Sequence, residues 1–289
     1  MGPLTKSAVE HFRREGYYFP HRVMPAAEAE ALCRQFRAYD ESAEARANPN
    51  LHKDIYLFKP HLLFRWADEI VHKNGVLDAV ESIVGPDILA WSAGVFRKDP
   101  YSQSVVTWHQ DATFYGLDDL DRIVRCWVAL TPTRVENGTM KFAPRTQLLG
   151  ARPHRIKTEA DAGNLLSFAE EVDIEVDEAS AVPVILEPGE ASFHHLTVAH
   201  SSGVNTSAMP RLNLVVTYIA PQVRPQTGMD TAMLVRGQDR YGYYQLEDRP
   251  HADFDMAARR AHAAAMAIRN RNFEVHRAAN QAALAASMT

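Results

Sequence analysis

Cysteine is nearly missing from this chain. Its 289 residues hold only Cys33 and Cys126, far apart and in no CxxC or zinc-like spacing. That argues against a disulfide scaffold or a zinc ribbon and favours a reducing, cytoplasmic setting. Positive charge is not in excess: the formal net charge is -5, so nothing points to nucleic acid or an anionic membrane as a partner. No apolar run approaches the roughly 20 residues of a membrane helix. The opening "MGPLTKSAVEHF" lacks the apolar centre of a signal peptide. Internal repeats are absent too. What remains is an ordinary globular composition, long enough to bury a core without staples.

The first part of the chain reads as helical. Ser7 and Glu10 form a candidate capping box, Ala8, Val9 and Phe12 share a face, and Gly16 can end the helix. "YYF" suits a short strand, and a second helix should start at Pro25. "NPNLHKDIYLFKPH" is loop-like. "LLFRWADEIVHKNGVLDAVESIVGP" reads as two helices broken near Asn74-Gly75. From Asp87 to about Pro221 the texture changes to short strand-like runs between turns such as Asn137-Gly138 and Pro188-Gly189. Many short strands with few helices argue for an antiparallel sandwich or barrel. The polar stretch from about Ala151 to Ala181 reads as an insertion able to cover a pocket. The alanine-rich tail reads as a helix packed on the outside.

One short string carries chemistry. "SVVTWHQDATFYGL" places His109 and Asp111 two residues apart in a strand-like run, hence on one face. A buried carboxylate is costly unless neutralised, and a divalent metal would do so. A third ligand must come from elsewhere, and "EPGEASFHHLTVAHSSGVNTSAMPRLNLVVTY" offers His194, His195 and His200. Two histidines and one carboxylate make the facial triad of non-haem Fe(II) oxygenases. Such enzymes commonly use 2-oxoglutarate, whose far carboxylate needs a fixed cation. Arg211, eleven residues after His200, opens a strand that could return it beside the metal.

With "WHQD", "ENGTMKFAPRTQ" and "PGEASFHHLTVAHSSGVNTSAMPR" in view, the chain resembles the phytanoyl-CoA dioxygenase family of Fe(II)/2-oxoglutarate oxygenases. The resemblance runs from about residue 8 to 250. It implies a mainly β fold with flanking helices around a double-stranded β-helix, the jelly-roll, cupin-like core. One oxygenase domain would then comprise helical support over 1–86, the core over 87–221 with the 151–181 insertion or lid, and a C-terminal extension over 222–289. The resemblance makes His109, Asp111 and His200 the iron ligands and Arg211 the 2-oxoglutarate anchor. Gln110, Trp127 and Ser202 would contact the co-substrate. His194 and His195 are then expected to pack in the core or to support the site by hydrogen bonds. In relatives the strand after the Asn-Gly turn often ends Pro-Gly-Ser-His, where this chain has Pro144-Arg145-Thr146-Gln147. Halogenases of the superfamily replace the metal-binding carboxylate, so Asp111 argues for hydroxylation or a related oxidation.

Trp108, Phe114 and Tyr115 flank the motif and are candidates for the substrate pocket, with Lys98 at its mouth. The expected activity is oxidation of a compact small molecule, a metabolite or natural-product intermediate. It would use Fe(II), 2-oxoglutarate and O2, with ascorbate as a reductant in vitro, and involve neither nucleic acid nor membrane. Desaturation, cyclisation or epimerisation at the same metal, or a jelly roll that binds a metabolite without oxidising it, are the competing readings.

Overall fold

The computed structural model describes residues 1–47, 55–156, 164 and 170–287. The first helix, α1 (Lys6–Glu15), is capped by Thr5, whose Oγ1 accepts from the Ala8 N–H at 3.2 Å. The expected Ser7–Glu10 box is therefore displaced by two residues, with Ser7 already inside the first turn. Gly16 ends the helix at φ 88°, a left-handed conformation that closes its N–H onto Phe12 O. Then follow β1 (Tyr17–Arg22), α2 (Ala26–Asp40), α3 (Ala43–Ala47), α4 (Arg65–Val71) and α5 (Asn74–Val84). The break near Asn74 and the start after Pro25 are where the sequence places them.

The β region supplies β2 (Ile88–Lys98), β3 (Val106–His109), β4 (Ile123–Ala129), β5 (Met140–Phe142), β6 (His154–Ile156) and β7 (Glu170–Val172). It continues through β8 (Val182–Pro183), β9 (Glu190–His194), β10 (His200–Ser202), β11 (Arg211–Ile219), β12 (Asp230–Arg236) and β13 (Tyr244–Leu246), and α6 (Met256–Ser287) closes the chain. A seven-stranded sheet runs β1-β9-β4-β11-β2-β12-β13, and a four-stranded sheet runs β3-β10-β5-β8. Together they form the jelly-roll core, mainly β with flanking helices. Of the 151–181 insertion, β6 and β7 pair as a separate ribbon, while 157–163 and 165–169 lie outside the described residues.

Strand β11 shows how the sequence positions the site. Leu212, Leu214, Val216 and Tyr218 join the core built with α1, α2, α4 and α5. The alternate residues Arg211, Val215 and Thr217 line a cavity between the sheets. Both faces are covered, so all nine residues are buried, Arg211, Asn213 and Thr217 included. Each buried aliphatic side chain contributes about 1.5–3 kcal/mol, which holds this strand firmly under its polar cargo. Cys126 sits on the helix-facing side as a small buried apolar residue, and both cysteines are free.

The last helix departs from expectation. One side of α6, from Arg269 to His276, lines the cavity instead of lying on the outside. Its alanines give helix propensity, and Arg269, Asn272 and His276 among its polar side chains line the cavity. Among the described residues, no helix is long and apolar enough to cross a membrane.

Candidate active site

Antiparallel pairing of β3 with β10 sets His109 directly opposite His200, and their ring centroids are 4.1 Å apart. The strand ends at His109, not beyond Asp111 as the alternation suggests. Gln110 stays extended, and Asp111 opens a 3-10 turn, Asp111–Phe114. The extended Gln110 preserves the alternation, so Asp111 still points to the side of His109. Potential ligand atoms of His109, Asp111 and His200 all lie within 4.8 Å of one another, and all three residues are buried.

These residues suit a cation. His109 Nδ1 lies 2.9 Å from Thr107 O and His200 Nδ1 lies 3.1 Å from Val198 O. A carbonyl can only accept, so each Nδ1 carries the proton and each Nε2 is left as a lone-pair donor. Those Nε2 atoms lie 3.7 Å from Asp111 Oδ1 and Oδ2 respectively, too far for hydrogen bonds. Burial pushes the imidazoles down to about 3 for His109 and about 4 for His200, keeping both neutral. Burial alone would raise the Asp111 carboxyl, but the Arg125 guanidinium together with His200, His194 and His109 outweighs it and holds the group far below the usual range. Asp111 Oδ2 is buried without a hydrogen-bond partner. Two neutral imidazoles and an ionised carboxylate converging in this way are a divalent-metal donor set.

The cavity, of about 460 Å³, extends from this triad in two directions. At one end Arg211 donates through Nη1 to Gly138 O, its guanidinium lies 5.3 Å from the Trp127 ring centroid, and its Nε has no partner. Burial lowers its pKa to about 9. Lys98, opposite Arg211 in the β2–β11 register, donates to Ser202 Oγ at 2.9 Å and to Gly203 O. Burial, and then Arg211, lower Lys98 to about 7. Neither cation has a carboxylate partner among the described residues. Two buried cations without an anion are expensive, and an anionic ligand would relieve the cost.

The phytanoyl-CoA dioxygenase family profile matches residues 12–213, more than two thirds of the chain. The chain belongs to this family. A curated relative, the probable alpha-ketoglutarate-dependent hypophosphite dioxygenase of Stutzerimonas stutzeri, is 28% identical over 172 residues, covering 58% of this chain and 58% of the relative. The match thus spans little more than half of that protein's length. The solved structure "non-heme monooxygenase; ThoJ apo" is 40% identical, covers 93% of this chain and 98% of its own, and superposes with a TM-score of 0.83. "CytC3 with Fe(II) and alpha-ketoglutarate" shares the fold at 20% identity, with a TM-score of 0.62 over 88% of this chain and 96% of its own.

The structure brings some of the expected positions to the cavity and turns others away. Trp127, Ser202 and Tyr115 line the cavity. Gln110 does not: its side chain donates to Gly150 O and Thr197 O and accepts from the Arg152 N–H, because it lies on the opposite side of the strand from His109. Trp108 also turns outward, packing near Ala143 and Ala199 and donating to Glu178 Oε1 at 2.7 Å. Lys98, expected at the mouth of the substrate pocket, is instead buried behind Ser202. The side chain of Phe114 lies outside the described residues. His195 is away from the metal ligands, with Asp121 and Thr197 as partners. His194 supports the centre, its Nε2 lying 3.5 Å from Asp111 Oδ2.

Arg125 escaped the sequence reading. It donates through Nη1 to Asp111 Oδ1 at 2.5 Å and to the Tyr115 hydroxyl. Its spacing of two from Trp127 on one strand was the available signal. Also missed was the wall opposite Arg211, where Phe58, Trp91, Asp230, Arg269 and Phe273 line the cavity. Most of that wall lies past residue 213, beyond the family match.

Proposed function

We propose that this chain is an Fe(II)- and 2-oxoglutarate-dependent oxygenase that oxidises a compact small molecule, releasing succinate and CO2. The observation carrying the proposal is one cavity with a donor set for a divalent ion at its centre and, at one end, the buried Arg211 without a carboxylate partner among the described residues, backed by Lys98 behind Ser202. His109, Asp111 and His200 would hold the iron, which when bound supplies the activation of O2. Arg211 would grip the distal carboxylate of 2-oxoglutarate through its planar fork, with Trp127 beneath it and Lys98 and Ser202 beside it. The co-substrate is then oriented before reaction, which is where most of the protein's contribution to such chemistry lies.

The other end would receive the substrate. Aromatic rings of Phe58, Trp91, Tyr115 and Phe273 line it, and a cavity of about 460 Å³ lies in the range of roughly 300–1,000 Å³ usual for small-molecule sites. Helix α6 covers this end and helps exclude water. The Arg269 guanidinium lies 3.4 Å from the centre of the Phe58 ring, fixing the helix against the loop before α4. The two free, buried cysteines support a cytoplasmic setting.

Purified protein supplied with Fe(II), ascorbate and 2-oxoglutarate should release succinate, and a true substrate should accelerate the release. His109→Ala should abolish it. A wild-type chain that takes up no Fe(II) and forms no succinate would refute the proposal in favour of a non-catalytic binding protein.

A further inference from the structure

We infer that Arg125 is a positioning residue that makes Asp111 a one-oxygen ligand and thereby keeps a coordination position open. The inference rests on the metal site proposed above. Register places Arg125 of β4 between Thr217 of β11 and His194 of β9, so these residues form one row across the inner face of the large sheet. From that row Arg125 reaches Asp111. Its Nη1 bridges Asp111 Oδ1 and the Tyr115 hydroxyl, while Oδ2 has no hydrogen-bond partner. Oδ2 faces His200 Nε2 at 3.7 Å and His194 Nε2 at 3.5 Å, whereas Oδ1, 3.7 Å from His109 Nε2, is already engaged by Arg125. The two carboxylate oxygens are therefore unequal. One is taken by a charge-assisted hydrogen bond, and the other is presented for a ligand bond.

The inequality matters for the coordination count. An octahedral ion held by three single-atom protein ligands keeps roughly three positions open. A keto acid chelates through two of them and leaves one. A carboxylate free at both oxygens can bind through both and consume the last position. With Oδ1 held by Arg125, one of its lone pairs is occupied and its orientation is fixed, so that second bond is disfavoured. A lysine in this place would supply charge without the fixed planar geometry, so donor direction and charge make separable predictions.

The experiment uses the full-length chain, metal-free and anaerobic, titrated with Fe(II) and then 2-oxoglutarate. The readouts are the visible charge-transfer band of the Fe(II)–2-oxoglutarate chelate and the Kd from its growth. Arg125→Met should retain Fe(II), show a diminished or shifted band, and weaken 2-oxoglutarate binding by about tenfold or more. Arg125→Lys keeps the charge and nearly the reach but not the fixed planar fork. It should retain Fe(II), shift the band and weaken 2-oxoglutarate binding by at least about threefold. If Arg125→Met does not fold, the Lys variant decides. Lys matching wild type in band and Kd means that only charge matters, and overturns the inference. An Arg125→Met protein with wild-type band and Kd overturns it as well. Absence of the band in the wild-type protein would instead overturn the metal-site reading itself.

Discussion

Replacing Arg211 by methionine should leave the ligand-free protein at least as stable as before while removing most of its affinity for 2-oxoglutarate. Arg211 is 3% exposed and has no carboxylate partner among the described residues. Burial lowers its pKa from 12.5 to about 9. The folded pKa is below the unfolded one, so the charged form is disfavoured by folding. At neutral pH, below both values, that penalty is fully present, and it is worth several kcal/mol at about 1.4 kcal/mol per pH unit. Methionine removes the penalty and keeps an apolar body over Trp127. Against this stands the lost hydrogen bond to Gly138 O, worth roughly 1.5–3 kcal/mol for a charged donor. The penalty removed is at least as large as the bond lost, so apo Tm should stay near wild type or rise by several degrees. Binding is another matter. Leaving a buried carboxylate without its partner costs roughly 3–5 kcal/mol, a few hundred- to a few thousand-fold in Kd. Thermal melts with Mn(II), with and without 2-oxoglutarate, test both halves. Wild type at a hundredfold excess over Kd should gain about 2.7 kcal/mol, and the variant almost nothing. A variant that keeps the ligand-induced shift, or whose apo form melts far below wild type, refutes the reasoning.

Gly138→Ala should act on the same anchor at a distance. Gly138 has φ 69°, and a Cβ there would meet Gly203 O at 2.6 Å and Val204 O at 2.8 Å. A loss of about 1–3 kcal/mol in denaturant unfolding is expected, with a raised KM for 2-oxoglutarate as the Arg211-bound carbonyl shifts. Lys98, lowered to about 7 by burial and then by Arg211, sets a pH dependence. Below pH 7 folding bears the full cost of its buried charge, and the cost diminishes between 7 and 10.5. Lys98→Met should therefore stabilise the apo protein more at pH 6 than at pH 9; equal gains would exclude Lys98 as the source. Because an anion favours charged Lys98, 2-oxoglutarate affinity in wild type should fall as pH rises from 7 to 9, and calorimetry should detect proton uptake on binding. Thr5→Ala should cost about 1 kcal/mol, which Ser7→Ala should not, distinguishing the real helix cap from the expected one.

The candidate donor set and Arg211 were legible because their chemistry is concentrated in short strings. His109 and Asp111 are two apart, and strand pairing needs only to bring one histidine across; His200 is directly opposite His109. Arg125 was not legible for the opposite reason. It sits in "IVRCWVAL", where one arginine looks like an ordinary solvent-facing residue. Its meaning comes from the neighbouring strands, which place Thr217 and His194 beside it. Gln110 and Trp108 illustrate the cost of reading proximity as contact, since alternation turns both away from the metal side of β3. The inner side of α6 was hidden by composition. Amid so many alanines, Arg269, Asn272 and His276 look like a solvated stripe, yet they line the cavity.

The ionisable groups of the cavity also separate its two halves. Around Asp111 the protein's own charges are matched, since Arg125 neutralises the carboxylate before any ion arrives. What is unmatched there is lone-pair capacity on Asp111 Oδ2, which faces His200 Nε2 at 3.7 Å. Around Arg211 and Lys98 the reverse holds: positive charge is in surplus and acceptors are occupied. A metal ion alone would satisfy the first half and leave the second in deficit. An anion alone would do the opposite. A chelating dianion with one end on the metal and the other on Arg211 satisfies both at once, so each should raise the affinity for the other. The measurable consequence is reciprocal: 2-oxoglutarate must tighten Mn(II) binding by the same factor by which Mn(II) tightens 2-oxoglutarate, and Arg211→Met must reduce that factor while leaving Mn(II) affinity in the absence of 2-oxoglutarate essentially unchanged.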